Sequence, residues 1–197
     1  MTPHHVGLLV PLCALAAAGL ARAAEIPANP VTVRVYETAP VDAAATAAAL
    51  NLARTTLAAA TVDVSWKPCG SRTGVASSCA KPPAGELVLR IVISAPQPQD
   101  RQLPLGDALV DTGAGAAILA TVYADRVVRV AKAAGMPIHA LLGYAIAHEL
   151  GHLLLASSTH NARGLMRPIW RDHELRSTRS ADWTFTSQEV AAIRRRR

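Results

Sequence analysis

The chain has 197 residues, 51% of them hydrophobic, and its 20 basic side chains outnumber 14 acidic ones, which gives a formal charge of +6. This length and apolar content fit one globular domain that buries its own core, and they exclude a mainly disordered chain. Much of the positive charge lies in the run Arg194–Arg197, without interleaved aromatic residues, so a solvated basic surface is favoured over a nucleic-acid partner.

The first 23 residues differ in character from the rest of the chain. Residues 6–20 form an apolar run too short to span a bilayer, and Ala21-Arg22-Ala23 follows as a small-x-small cleavage pattern. We expect a signal peptide at 1–23 and a single mature domain at 24–197, secreted or periplasmic and without a membrane anchor after cleavage. An uncleaved anchor is the alternative, and the short apolar run disfavours it.

Hydrophobic periodicity predicts the elements of the remaining chain. Strands are expected at 31–36, 62–66, 86–93, 107–111 and 116–123, and helices at 42–60, 125–134, 137–156 and 187–195. Asp42 should cap the first helix, Pro137 should begin the third, and Thr186 with Glu189 should form a capping box before the last. Because strands and helices do not alternate regularly, we predict an α+β fold with a mixed sheet, two main helices, and a loop-rich C-terminal part that ends in a short helix.

Two cysteines remain after the predicted signal peptide. Cys69 and Cys79 are separated by nine residues in a segment rich in Gly, Ser and Pro. In an exported protein such an isolated pair predicts a disulfide that closes a loop. As metal ligands the two cysteines would need companions, and none has suitable spacing.

The segment HELGHLLLASSTHNARGLM, at 148–166, carries the chemistry of the chain. Residues four apart lie on the same face of a helix, so His148 and His152 are able to direct two imidazole nitrogens at one ion. Glu149 falls beside them, where a carboxylate acts as a general base towards water instead of as a ligand. Because zinc lowers the pKa of water to about 7, the pattern indicates zinc-dependent hydrolysis of peptide bonds. Two helix histidines with ordinary packing or surface roles are the alternative.

This segment resembles the zincin metallopeptidases, and most of all their metzincin clan, whose pattern is H-E-x-x-H-x-x-G-x-x-H followed by a methionine turn. His148, Glu149 and His152 match the pattern, and Gly151 agrees with the HELGH form that is frequent in matrixins. Met166 lies 14 residues after His152, as in matrixins. The resemblance implies that Met166 forms a hydrophobic floor under the metal.

The segment departs from the clan's pattern between the second histidine and the methionine. Leu155 stands where the clan has the glycine that ends the helix, and the third histidine comes two residues late, at His160. We expect His160 to be the third zinc ligand. A gluzincin-like arrangement would instead use Glu174, or its neighbours Asp172 and His173.

The resemblance implies a zinc metalloendopeptidase with Zn²⁺ as its cofactor, acting on protein or peptide substrates, and we expect the protein to be a monomer. It also implies an antiparallel edge strand before the last strand and the zinc helix. The strand at 107–111 fits that place, where it would align an extended peptide by strand addition. A zinc-stabilised binding or scaffold protein, which keeps the metal helix and cleaves nothing, is an alternative of another class.

A second alternative comes from the segment ALVDTGA at 108–114. It resembles the catalytic loop of retropepsin-type aspartic proteases, in which the aspartate of a D-T-G turn shares a proton with a second aspartate. Here that residue would be Asp111, within DTGA at 111–114. A tight turn between two strands explains the same residues, and an aspartic protease would need a mostly β fold.

Overall fold

The computed structural model describes residues 30–69, 79, 82–94, 103–111, 116–176 and 180–197. The predicted signal peptide, the interior of the cysteine loop and the D-T-G turn at 112–115 lie outside the described residues. The strands are β1 (Val31–Glu37), β2 (Val64–Pro68), β3 (Leu87–Val92), β4 (Gly106–Asp111) and β5 (Ala116–Tyr123). The helices are α1 (Ala43–Ala59), α2 (Ala124–Ala134), α3 (Ile138–Leu155), α4 (Asp172–Leu175) and α5 (Ser187–Arg196), with a 3₁₀ turn at Ser180–Trp183.

The five strands form one mixed sheet in the order β2-β1-β3-β5-β4. β1, β2, β3 and β5 run parallel, and β4 pairs antiparallel with β5 at the edge. Val35, Leu89 and Ala120 align in register across the three central strands, and all three are buried. The predicted α+β fold, with an antiparallel edge strand before the last strand, is confirmed.

Helices α1 and α3 are the two main helices, and they pack against each other. Three residues of α1 are fully buried, namely Ala49, Ala53 and Leu57. The two alanines lie one turn apart and let the helices approach closely. At Gly143 of α3 an added Cβ would lie 2.8 Å from the carbonyl oxygen of Ala49. The alanine-rich face of α1 therefore packs on a glycine of α3.

Helix α3 lies in the core of the domain. It is long and apolar enough to cross a membrane by length and composition, yet 67% of it is buried inside the described part of the protein. A helix that is apolar on all sides is typical of a core position. α3 also contacts β4 and β5, so it brings its polar residues to the open edge of the sheet.

The ends of the elements differ from the sequence prediction in a few places. Pro137 precedes α3 instead of beginning it, because its backbone is extended (ψ 131°). The C-terminal part, predicted as loops before the last helix, contains α4 and the 3₁₀ turn, which are too short to show a period in sequence. The capping oxygen of Asp42 accepts a hydrogen bond from the Ala45 amide at 2.9 Å, as predicted. Thr186 and Glu189 form the predicted capping box.

A disulfide joins Cys69 to Cys79, with the two Cα atoms 5.5 Å apart. Cys69 is buried directly after β2. The hydroxyl of Tyr36, near the end of the neighbouring β1, donates to the carbonyl oxygen of Cys79 at 3.2 Å. The bridge therefore holds the loop against β1 and β2, at the edge of the sheet opposite to β4.

Candidate metal centre

Three imidazole rings converge at the C-terminal half of α3. His148 and His152 lie one turn apart on α3, and His160 lies on the loop that follows. The Nε2 atom of His152 is 3.1 Å from Nε2 of His148 and 3.3 Å from Nε2 of His160. Potential ligand atoms of the three residues all lie within 4.8 Å of one another. The structure thus brings together the three histidines that the sequence predicts.

The other ring nitrogens fix the tautomers of the two helix histidines. Nδ1 of His148 lies 2.8 Å from the carbonyl oxygen of Leu165, and Nδ1 of His152 lies 2.7 Å from that of Ser157. A carbonyl oxygen only accepts, so both Nδ1 atoms carry a proton and donate it. In the neutral rings the lone pairs are therefore on Nε2, and they face each other across 3.1 Å. This arrangement is repulsive without a cation.

The separations fit a tetrahedral metal ion. Zinc–nitrogen distances of about 2.0–2.1 Å at tetrahedral angles place two ligand nitrogens about 3.3 Å apart. The two observed Nε2 separations, 3.1 and 3.3 Å, are close to that value. Neutral imidazoles oriented by carbonyl oxygens through Nδ1 are also the ligands that zinc prefers. The residues present therefore fit a zinc ion held by three histidines.

The protonation states of the three histidines also suit a metal ion. Burial lowers the pKa of His148 to about 3, although its hydrogen bond to the Leu165 carbonyl opposes the change. Burial also lowers the pKa of His152 and that of His160. The rings are consequently neutral at pH 7 and have lone pairs available for a metal.

Glu149 occupies the gap between α3 and the edge strand β4. The residue is 6% exposed, and burial, followed by the negative charge of Asp107, raises its pKa to about 8. An added Cβ on Gly106, the first residue of β4, would lie 2.7 Å from Cγ and from Oε1 of Glu149. The absence of a side chain at Gly106 is therefore what lets the carboxylate lie against the edge strand.

The methionine turn packs beneath the helix that carries the histidines. Met166 is fully buried, and an added Cβ on Gly151 would lie 2.6 Å from its Sδ atom and 2.8 Å from the ring of Phe185. Gly151 thus permits the close packing of Met166 and Phe185 on α3. Sequence reasoning singled out Met166 but not Phe185, which lies 19 residues further on and has no spacing signal.

The helix ends without the glycine of the metzincin pattern. Leu155 is the last helical residue, and Ala156 adopts a left-handed conformation with φ 44° and ψ 49°. The amide of Ser157 then donates to the carbonyl oxygen of His152 at 3.1 Å. An alanine therefore makes the turn that the clan assigns to glycine, one residue later, at a cost of about 1 kcal/mol.

A solved structure has this fold. The crystal structure of archaemetzincin from Methanopyrus kandleri matches with a TM-score of 0.58 and 12% sequence identity, over 85% of this chain and 95% of that chain. No family model matches the sequence, and no curated protein matches it either. The chain therefore has an α+β fold similar to that of archaemetzincin, and the roles of its residues rest on their own geometry.

The rival ligand Glu174 lies in a different network. Its Oε1 accepts a hydrogen bond from buried Arg167 at 2.9 Å, and its Oε2 accepts one from the amide of Arg171 at 2.7 Å. Asp182 also pairs with Arg167, at 3.5 Å. These contacts hold α4 and the 3₁₀ turn against Arg167, the residue after Met166. Both oxygens of Glu174 thus accept hydrogen bonds within this network.

Aromatic side chains border the histidine cluster on one side. Trp170 meets the His148 ring edge-on, with centroids 5.6 Å apart, and contacts Trp183 at 5.3 Å. Tyr144, one turn before His148, stacks on Trp183 at 4.4 Å. Trp170 therefore packs against both the C-terminal part of the chain and a candidate ligand.

Proposed function

We propose that this chain is an exported zinc metalloendopeptidase, in which His148, His152 and His160 bind Zn²⁺ and Glu149 is the general base. The observation that carries the proposal is the convergence of three neutral imidazoles beside a buried carboxylate. When bound, zinc supplies a Lewis acid that polarises a carbonyl group and makes water acidic enough to attack it at neutral pH.

Glu149 moves the proton in this proposal. Its carboxylate accepts a proton from the attacking water and returns it to the amine of the departing peptide, so that one water molecule is consumed for each peptide bond cleaved. A base with a pKa raised towards neutrality is suited to both transfers. Its place against Gly106 keeps the carboxylate at the boundary between α3 and the edge strand.

The edge strand β4 offers a place where a peptide substrate can bind. β4 pairs with β5 on one side, and its other side has no partner strand among the described residues. An extended peptide could therefore add to β4 as a further strand, next to Gly106 and Glu149. Leu109, which is 62% exposed on this strand, provides apolar surface for that contact.

Export is supported by the Cys69–Cys79 disulfide and by the apolar run at residues 6–20. Disulfides persist in oxidising compartments such as the periplasm or the extracellular space. After cleavage of the signal peptide, the mature protein is expected to be a monomeric domain of residues 24–197.

The test combines zinc content with peptide cleavage by the mature protein. We expect about one zinc per chain, cleavage of a mixed peptide library, and loss of cleavage in Glu149→Ala without loss of zinc. Asp111→Asn is the matched carboxylate control, since Asp111 lies exposed at the end of β4. Full activity in Glu149→Ala would exclude the mechanism, and loss of activity in Asp111→Asn alone would favour the aspartic-protease alternative. Bound zinc without turnover of any peptide would favour the scaffold alternative.

A further inference from the structure

The loop that carries His160 has little apolar burial to hold it. Residues 158–163 are exposed, in contrast to the buried residues 164–167 that follow. A ligand on an exposed loop contributes little affinity unless other contacts define its position. The position of His160 must therefore be set by polar contacts.

Two of these contacts come from Asn161, the residue after His160. Its amide donates to the carbonyl oxygen of Met166 at 2.8 Å, which closes the loop on the methionine turn. Its side-chain Nδ2 donates to Oε1 of Glu189 on α5. The second contact joins the loop to a helix 28 residues further along the chain.

Glu189 is well suited to hold the loop. It is 4% exposed, and its second oxygen, Oε2, accepts a hydrogen bond from the Thr186 amide at 2.6 Å. The capping box thus fixes the carboxylate at the beginning of α5, independently of the loop. Ile193 is fully buried one turn further on, so α5 itself is anchored in the core.

The same C-terminal segment holds the other end of the loop. The Leu165 amide donates to the carbonyl oxygen of Thr184 at 2.8 Å, and the Leu165 carbonyl accepts from Nδ1 of His148. Gly164 adopts φ +75°, and an added Cβ there would lie 2.7 Å from the Thr184 oxygen. The segment before α5 therefore contacts the C-terminal end of the loop, and Glu189 of α5 contacts it at Asn161.

We propose that Glu189 is a positioning residue for the third metal ligand: through Asn161, its carboxylate fixes the loop on which His160 meets the two helix histidines. The inference rests on the proposed zinc site. In this arrangement the capping box has two roles, since one oxygen of Glu189 begins α5 and the other orders the metal loop. Contacts that orient metal ligands are typically worth about 10- to 100-fold in metal affinity.

The experiment measures zinc affinity by competition with a chromophoric chelator, on the mature protein, without reference to turnover. We expect Asn161→Ala and Glu189→Ala each to weaken zinc binding by about 10-fold or more, and the double variant to be no weaker than the worse single variant. Ile193→Val is the matched control, because it loosens the packing of α5 and leaves the Glu189 carboxylate intact. Its zinc affinity should stay within about twofold of the wild type.

Glu189→Gln tests the hydrogen bonds themselves. The Oε1 atom of the introduced glutamine accepts from the backbone amide of Thr186. The side-chain amide of Asn161 can turn over so that its oxygen accepts from Nε2 of the glutamine. This variant should therefore keep most of the zinc affinity that Glu189→Ala loses. Equal zinc affinity in Asn161→Ala and the wild type would overturn the positioning role and leave the proposed site intact. Additive losses in the double variant would also overturn it. Absence of zinc binding in the wild type would overturn both proposals. Asn161 is exposed, so its variant should fold even if Glu189→Ala does not.

Discussion

Replacing Glu149 by Gln should stabilise the metal-free protein at neutral pH. The pKa of Glu149 is raised from 4.5 to about 8, so the folded state keeps a proton that the unfolded chain releases. The stability that this group contributes is fully present below pH 4.5 and is lost as the pH rises through 8. Gln has the same shape and no charge, so its variant avoids this loss.

The magnitude follows from the linkage between protonation and folding. Each pKa unit corresponds to about 1.4 kcal/mol, and pH 7 lies roughly 2.5 units above the ordinary pKa of a glutamate. The Gln variant should therefore exceed the wild type in unfolding free energy by on the order of 3 kcal/mol at pH 7. This difference should vanish near pH 4.5. The depressed pKa of His148 destabilises both proteins as the pH falls below 6.5, and it therefore cancels in the comparison.

Urea unfolding of both proteins in the presence of a chelator, from pH 4.5 to 8.5, measures this difference. We expect the stability advantage of the Gln variant to grow from pH 4.5 to about pH 8 and to level off above it. A difference in unfolding free energy that is constant with pH would refute the reasoning, because it would show that Glu149 does not change its protonation on folding. Zinc binding at pH 7 should also release about one more proton from the wild type than from the variant, since a bound cation favours the carboxylate.

Three further predictions concern the packing and the ligands. Gly151→Ala should lower the free energy of unfolding by about 1–3 kcal/mol in thermal melts, because its Cβ would meet the Sδ of Met166. Ala156→Gly should raise the unfolding free energy by about 0.5–1 kcal/mol in urea titrations, because glycine adopts the left-handed conformation without strain. His160→Ala should weaken zinc binding by roughly 100-fold or more in chelator competition, whereas Glu174→Gln should stay within about twofold.

Each of these predictions has an outcome that contradicts it. Unchanged stability in Gly151→Ala would mean that the methionine turn is not packed against α3. A destabilised Ala156→Gly would indicate that the end of the helix is not left-handed in solution. Zinc loss in Glu174→Gln with retention in His160→Ala would make Glu174 the third ligand and exclude the proposed site.

The sequence by itself determined the local features of this protein. The fold class followed from the order of strands and helices, and the cap of α1 and the capping box of α5 followed from short-range hydrogen-bonding patterns. The alignment of His148 and His152 followed from helical geometry, because residues four apart share a face of a helix. Two helical turns of four residues each were missed, since little more than one period is too short to show a repeating hydrophobic pattern.

Only the tertiary structure decided how distant segments complete the site. Counting residues to Met166 indicated His160, and the folded loop brings its Nε2 to 3.3 Å from His152. Nothing in the local sequence predicts that Asn161 would meet Glu189, or that Gly106 would make room for Glu149. These contacts join residues separated by 28 and 43 positions, and such pairs are selected by the packing of whole elements, not by the spacing of residues along one of them.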